Sequence, residues 1–270
     1  MQIGQDVLLT YSRDLLITEY EIALKLLNRK KINLKPNNVA IFKKLTILPN
    51  CVKLECVDYE LTHLPDLPNC THLECYNNQL THLPALPNCQ ELDCSENQLI
   101  LLPDLPNCRL LDCSENQLTH LQDLPNCRSL ICDQNQLINL PALPNCRNLI
   151  CYNNQLTHLP DLPNCRHLIC YDNQLTHLPQ LPILTELHCK QNQISILPEL
   201  LNCKILDCGQ NQIKELPGDL KNCQYLDCNQ NQIKELPNDL KNCNFLDCSR
   251  NQITILPELR ICIDINCSHN

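Results

Sequence analysis

Apolar residues recur along this chain in one short phrase. From about residue 45 the phrase reads C-x-x-L-x-C-x-x-N-Q-L-x-x-L-P-x-L-P-N and returns about twelve times. The stretch 143–160, LPNCRNLICYNNQLTHLP, is one passage through it. Its inner cysteines stand at 56, 75, 94, 113, 132, 151, 170, 189 and 208, a step of 19, and then at 228, 248 and 267, with two steps of 20. A second series runs 51, 70, 89, 108, 127, 146 and 165, gives way to Leu184, and resumes at 203, 223, 243 and 262. In Leu149-Ile150-Cys151 the alternation sets Leu149 and Cys151 on one face and Ile150 on the other, so each turn predicts one short parallel strand about 4.8 Å from the next. A period of this length describes a stack whose units contact mainly their neighbours.

The other positions follow from the same geometry. Asn78 through Asn251, always before Gln, sit at the strand exit. There an amide side chain can bond neighbouring backbone and tolerate a positive φ, and stacked copies predict a ladder. The LP-x-LP segments exclude helix, because each proline removes a donor and biases its predecessor toward extended geometry, so a polyproline-like return is expected on the convex side. Before the repeats, residues 12–30 predict one amphipathic helix with Leu15, Leu16, Tyr20, Ala23, Leu24 and Leu27 at helical spacing and Ser12 or Thr18 as N-cap. It is expected to cap the first turn; a membrane-surface role for Arg29, Lys30 and Lys31 is the alternative.

The phrase resembles the leucine-rich repeat, L-x-x-L-x-L-x-x-N-x-L, with cysteine at the first and third apolar positions. Its length and its LPALP or LPDLP segments resemble the short repeats of secreted bacterial effectors, and its cysteines those of giant amoeba virus repeat proteins. The resemblance implies an α/β repeat solenoid over 45–270, with a parallel sheet on the concave face and a capping region over 1–44. It implies a non-enzymatic protein-binding surface, for a host protein in host cytoplasm if the viral likeness holds, with two alternatives. One is a self-assembling structural protein; the other is a recognition arm for a separate ubiquitin-ligase-type enzyme.

Composition narrows the chemistry. The chain has 23 cysteines, no apolar run long enough to span a bilayer, and a beginning, MQIGQDVLLTYSRDLL, unlike a secretory leader. Reduced thiols in cytosol are therefore expected, each acting as a small hydrophobe in a narrow core, as the substitution by Leu184 suggests. Spacing of C-x4-C does not suit zinc, and disulfides between adjacent turns remain a weaker alternative. Net charge is −9, divided as +4 over residues 1–50 and −13 over 51–270, which disfavours nucleic acid. With three glycines in the whole chain, Gly-rich phosphate loops are excluded. Neither cofactor, metal nor catalytic residue is expected, and a smooth repeat surface would give each acidic residue the same surroundings.

The candidate site lies between the Leu and Cys of each strand. Glu55, Glu74, Asp93 and Asp112 give way to Ile131, Ile150 and Ile169, then to His188, Asp207, Asp227, Asp247 and Asn266. Tyr152 and Tyr171 flank the isoleucines, and Arg109, Arg128, Arg147 and Arg166 precede their strands. An apolar, tyrosine-flanked patch beside arginines has the composition of an interface centre. The bland alternative is that the isoleucines are β-formers and the arginines balance nearby acids. Ile205, Tyr225 and Phe245, with Ile263 and Ile265 near Asn270, are candidates for self-association into a homodimer, since the chain as given stops mid-repeat on a bare strand edge. Either a second copy or further chain would cover that edge. His63, His82, His120, His158 and His177 share one slot and are expected to be exposed on the convex side.

Overall fold

The computed structural model describes residues 17–270. They form two compact units, one ending at Leu124 and the other spanning 125–270. The first contains α1 (Ile17–Leu27), β1 (Lys31–Asn33), a 3-10 turn (Pro36–Asn38), α2 (Val39–Phe42), β2 (Lys53–Glu55), β3 (His72–Glu74), β4 (Glu91–Asp93) and β5 (Leu110–Asp112). These strands pair in parallel in chain order, with Ile32, Leu54, Leu73, Leu92 and Leu111 in one row. The second unit contains β6 (Ser129–Ile131), β7 (Asn148–Ile150), β8 (His167–Ile169), β9 (Glu186–His188), β10 (Ile205–Asp207), β11 (Tyr225–Asp227), β12 (Phe245–Asp247) and β13 (Asp264–Asn266). Its strands are again parallel and sequential, with Leu130 through Leu246 and then Ile265 in the central row.

Burial follows the phrase. In one turn Leu149, Cys151, Leu156, Leu162 and Cys165 are at most 1% exposed, and Leu159 is 8% exposed. Twenty-one cysteines are buried and all 23 are free thiols; Cys262 is half-buried and Cys267 exposed. Reading every cysteine as an apolar filler needs one refinement. Thiols of the second series donate to the carbonyl two residues onward, as Cys146 Sγ does to Asn148 O at 3.2 Å and Cys165 Sγ to His167 O at 3.3 Å. Burial pushes the Cys146 thiol up to about 11 and Cys165, which Cys146 raises further, to about 12. Neither sulfur is poised for thiolate chemistry at neutral pH.

The asparagine ladder forms as the sequence suggests. Asn173 Nδ2 donates to Cys151 O (3.0 Å), Cys170 O (3.2 Å) and Tyr171 O (3.2 Å), while its Oδ1 accepts from Leu156 N at 2.9 Å. The expectation that this Asn also takes the left-handed backbone is corrected. Positive φ belongs to the residue before it, including Asn153 (52°), Asp172 (53°), Gln191 (54°) and Arg250 (55°). Asn is fixed by side-chain bonding, and the bend falls one residue earlier at exposed side chains of varied type. A second ladder escapes the sequence reading: the Asn of L-P-N-C segments bonds the preceding turn, as in Asn69 Nδ2→Pro49 O (2.8 Å) and Asn164 Nδ2→Pro144 O (2.8 Å), while Asn50 bonds Leu27 O at the end of α1.

The N-terminal segment differs in detail. Leu15, Leu16 and Ser12 lie outside the described residues. Within α1, Ala23, Leu26 and Leu27 are buried, whereas Tyr20 is exposed and Leu24 half-buried, so the inward face is rotated from the one expected. The helix ends at Leu27, short of residue 30, where Asn28 Nδ2 and N both bond Leu24 O and Arg29 N bonds Leu26 O. The chain then enters β1, which pairs with β2 inside the segment read as a cap. Its inward pair is Ile32 and Leu34, so the cysteine period gives no sign of it.

Candidate functional site

Register places Ile131, Ile150 and Ile169 side by side on β6, β7 and β8, and all three are half-buried. Their side chains alternate with Leu149 and Cys151-type residues, so they stand on the sheet face away from the core. Tyr152 and Tyr171, two residues beyond the ends of β7 and β8, stack with centroids 4.4 Å apart and planes 11° apart. Lys190 Nζ lies 5.5 Å from the Tyr171 ring centroid, within cation–π range. Burial first, then a hydrogen bond with Asp133, raises the Tyr152 phenol above its ordinary value.

Arg128, Arg147 and Arg166 precede these strands and are exposed. Their backbones are fixed in register by Arg147 N→Arg128 O and Arg166 N→Arg147 O, each 2.8 Å. Among the described residues, ion pairs are made by lysines, histidines and Arg260, and none by these arginines. The alternative that the arginines balance nearby acids therefore lacks its contacts. Arg109, also exposed and without an ion pair, belongs to the first unit, where its N bonds Gln90 O at 2.8 Å.

Acidic residues in the same column are compensated locally, and differently from turn to turn. In the first unit Lys53 Nζ meets Glu74 Oε1 at 2.8 Å, and Ser95 Oγ and Ser114 Oγ donate to Asp93 and Asp112 at 2.7 Å each. Desolvation nevertheless raises the Asp93 carboxyl. In the second unit Ser249 Oγ and Asn266 Nδ2 donate to opposite oxygens of Asp247 at 2.6 and 2.9 Å. Burial raises Asp227, with Asp207 and Asp247 adding repulsion. At Asp207 the residue two positions on is Gly209, which offers no side-chain donor. Asp207 is instead approached by His188 Nδ1 (3.7 Å) and Lys190 Nζ (3.8 Å), and its buried Oδ1 has no hydrogen-bond partner. His188 also meets Glu186 at 2.9 Å; the Asp207 carboxylate beside it is the first cause of its raised pKa. The expectation of identical surroundings is thus corrected: His188 and Gly209 break the repeat.

Ile205, Tyr225 and Phe245 share one column, and the two rings stack at 4.4 Å and 3°. Ile263 and Ile265 do not join them. Phe245 faces Asp264, Ile265 extends the core row beside Leu246, and Ile263 precedes the strand, 90% exposed. His63, His82, His120, His158 and His177 are all exposed, each beside a threonine hydroxyl at 3.1–3.3 Å from Nδ1. No cluster of three metal-ligating side chains occurs among the described residues. No helix there is long and apolar enough to cross a membrane.

Comparison with solved structures fits this geometry. The chain is similar to YopM, a leucine-rich effector protein from Yersinia pestis, at 28% identity and a TM-score of 0.73, covering 97% of this chain and 75% of that one. The fold is a leucine-rich repeat solenoid. A leucine-rich repeat protein from Leptospira interrogans gives 27% identity and a TM-score of 0.70 over 93% of this chain and 74% of the other. InlJ from Listeria monocytogenes, whose functional domain includes a cysteine ladder, shares the fold at 23% identity and a TM-score of 0.60, covering 92% and 64%. No protein-family model matches this chain, nor does any curated protein.

Proposed function

We propose that this leucine-rich repeat chain is a non-enzymatic protein-recognition module, binding through the sheet face of turns 128–171. One observation carries the reading. Arg128, Arg147 and Arg166 stand exposed without carboxylate partners beside the half-buried Ile131, Ile150 and Ile169 and the stacked Tyr152–Tyr171 pair. A folded surface with no external partner has little reason to stack like charges one strand apart. Central aromatic and apolar residues ringed by arginine give an interface its energy. Similarity to an effector from Yersinia makes a host protein the expected class of partner, met in a reducing compartment where the thiols persist.

Affinity capture from cell lysate tests the reading, with wild type beside a variant carrying Ile131→Asp, Ile150→Asp and Ile169→Asp. The expected result is a protein retained by wild type and lost by the variant; identical retention by both removes the reading. Self-association is the second reading, favoured by the stacked Tyr225–Phe245 pair on an otherwise polar stretch. Light scattering that finds a monomer at all concentrations removes it.

A further inference from the structure

The recognition reading leaves the occupant of the face undefined, and the inference here rests on that reading while adding the occupant's shape and charge. We infer that this face is the seat of an acidic amphipathic α-helix, lying along the direction in which the strands stack, with its carboxylates on Arg128, Arg147 and Arg166.

Charge is the first argument. The three arginines recur once per turn on backbones roughly 4.8 Å apart, which sets like charges side by side. No carboxylate within the described residues pairs with them. Guanidinium forks bind carboxylates in two-point geometry, so an array of anions at the same spacing is the complementary surface.

Spacing is the second. An α-helix returns to one side every 5.4 Å, so glutamates one turn apart drift from the arginines by only about 0.6 Å per step. Over the two steps joining three arginines the drift is about 1.2 Å, which a long flexible side chain absorbs. An extended peptide presents alternate side chains about 6.8 Å apart and drifts by about 4 Å over the same two steps. A helix is therefore close to commensurate with the ladder, and a strand is not.

Width is the third. Each isoleucine follows its arginine by three positions, about 10 Å of extended chain, which approaches a helix diameter of about 10–12 Å. Ser129, Asn148 and His167 lie between the two columns, the last two joined at 2.8 Å. A helix over this strip would place its apolar stripe on the isoleucines and one acidic flank on the arginines. The seat also has an end. At β9 the isoleucine column becomes His188, followed by Asp207, Asp227 and Asp247, which repel any continuation of an acidic helix.

The test uses the full chain and a designed, cross-linked helical peptide of about eleven residues, three turns long. Its glutamates recur one turn apart on one flank, with leucines on the adjacent flank. Fluorescence anisotropy is expected to show binding that added salt weakens. Affinity should fall by about tenfold or more, the effect of one strong interface contact, when the glutamates become lysines or proline interrupts the helix. The same loss is expected in a protein carrying Arg128→Glu, Arg147→Glu and Arg166→Glu, whose unchanged circular dichroism confirms folding. Equal binding of the proline-interrupted peptide overturns the helix. So does undiminished binding to the arginine variant, or tighter binding of a uridine oligonucleotide than of the peptide. If no helical peptide binds while wild type still captures a protein that the isoleucine variant loses, the recognition reading survives and the helix does not.

Discussion

Replacing Asn173 by alanine is the sharpest probe of what holds one turn to the next. The Asn173 amide donates to three carbonyls, Cys151 O, Cys170 O and Tyr171 O, and its oxygen accepts from Leu156 N at 2.9 Å. Two amide hydrogens shared among three acceptors amount to about two good bonds, so about three are lost in all. At a net 0.5–1.5 kcal/mol each, the loss is about 2–4 kcal/mol. The upper half is favoured because Leu156 is fully buried and its N–H gains no water in exchange. Urea unfolding followed by circular dichroism measures the total. Native-state hydrogen exchange of the Leu156 amide measures the local part, since a repeat stack transmits damage mainly to its neighbours. Asp172→Gly is the control: it changes the exposed left-handed residue beside Asn173, where glycine relieves strain, and is expected within about 1 kcal/mol of wild type or slightly more stable. A loss below about 0.5 kcal/mol in Asn173→Ala, with unchanged protection at Leu156, refutes the reasoning.

The two cysteine series should respond differently to serine. Cys151→Ser buries a hydroxyl for which the thiol had no bonded acceptor and is expected to cost about 1–3 kcal/mol, whereas Cys146→Ser keeps the bond to Asn148 O and should cost clearly less; equal losses in urea unfolding contradict this. A thiol reagent at pH 8 should label Cys267 rapidly and Cys146 only on unfolding, because burial holds the Cys146 thiol near 11; rapid labelling of Cys146 in the native protein would overturn its placement. His188 is raised by Asp207 and Glu186, so its contribution is complete below the unfolded imidazole value of about 6.5 and is lost as pH rises through the higher folded value. The melting temperature should fall across that window in wild type and not in His188→Gln, as calorimetry at several pH values would reveal. Asp227 is raised by burial, so its carboxylate weakens the fold above the unfolded value of about 3.9, and Asp227→Asn should melt higher at pH 7; a lower melting temperature refutes that sign.

The core was legible because the selection acting on it is periodic. Leu149 and Cys151 face inward in the order that strand alternation demands, and Leu184 sits buried where a cysteine is skipped. Asn173 was legible as a ladder residue because one side chain must satisfy the same backbone groups in each turn. What escaped has no such constancy. The left-handed residue is Asn153, Asp172, Gln191 or Arg250, since an exposed position held in αL by its neighbours selects no side-chain type. β1 escaped because Ile32 and Leu34 fill the core without cysteine. The His188–Asp207 contact escaped because it depends on Gly209 two positions later, a single departure from the phrase. For the candidate site, the columns of isoleucine, tyrosine and arginine could be read from spacing alone. That the arginines make no ion pair among the described residues is a three-dimensional fact, which spacing along the chain does not carry.

The sheet face of turns 128–171 is proposed to meet a protein partner. A photo-crosslinking residue at Asn148, exposed beside Ile150, tests it most directly against one at His158, exposed in the slot after the asparagine ladder. A crosslinked partner is expected from position 148 and none from 158. Crosslinking from 158 alone would place the partner on another surface and contradict the claim.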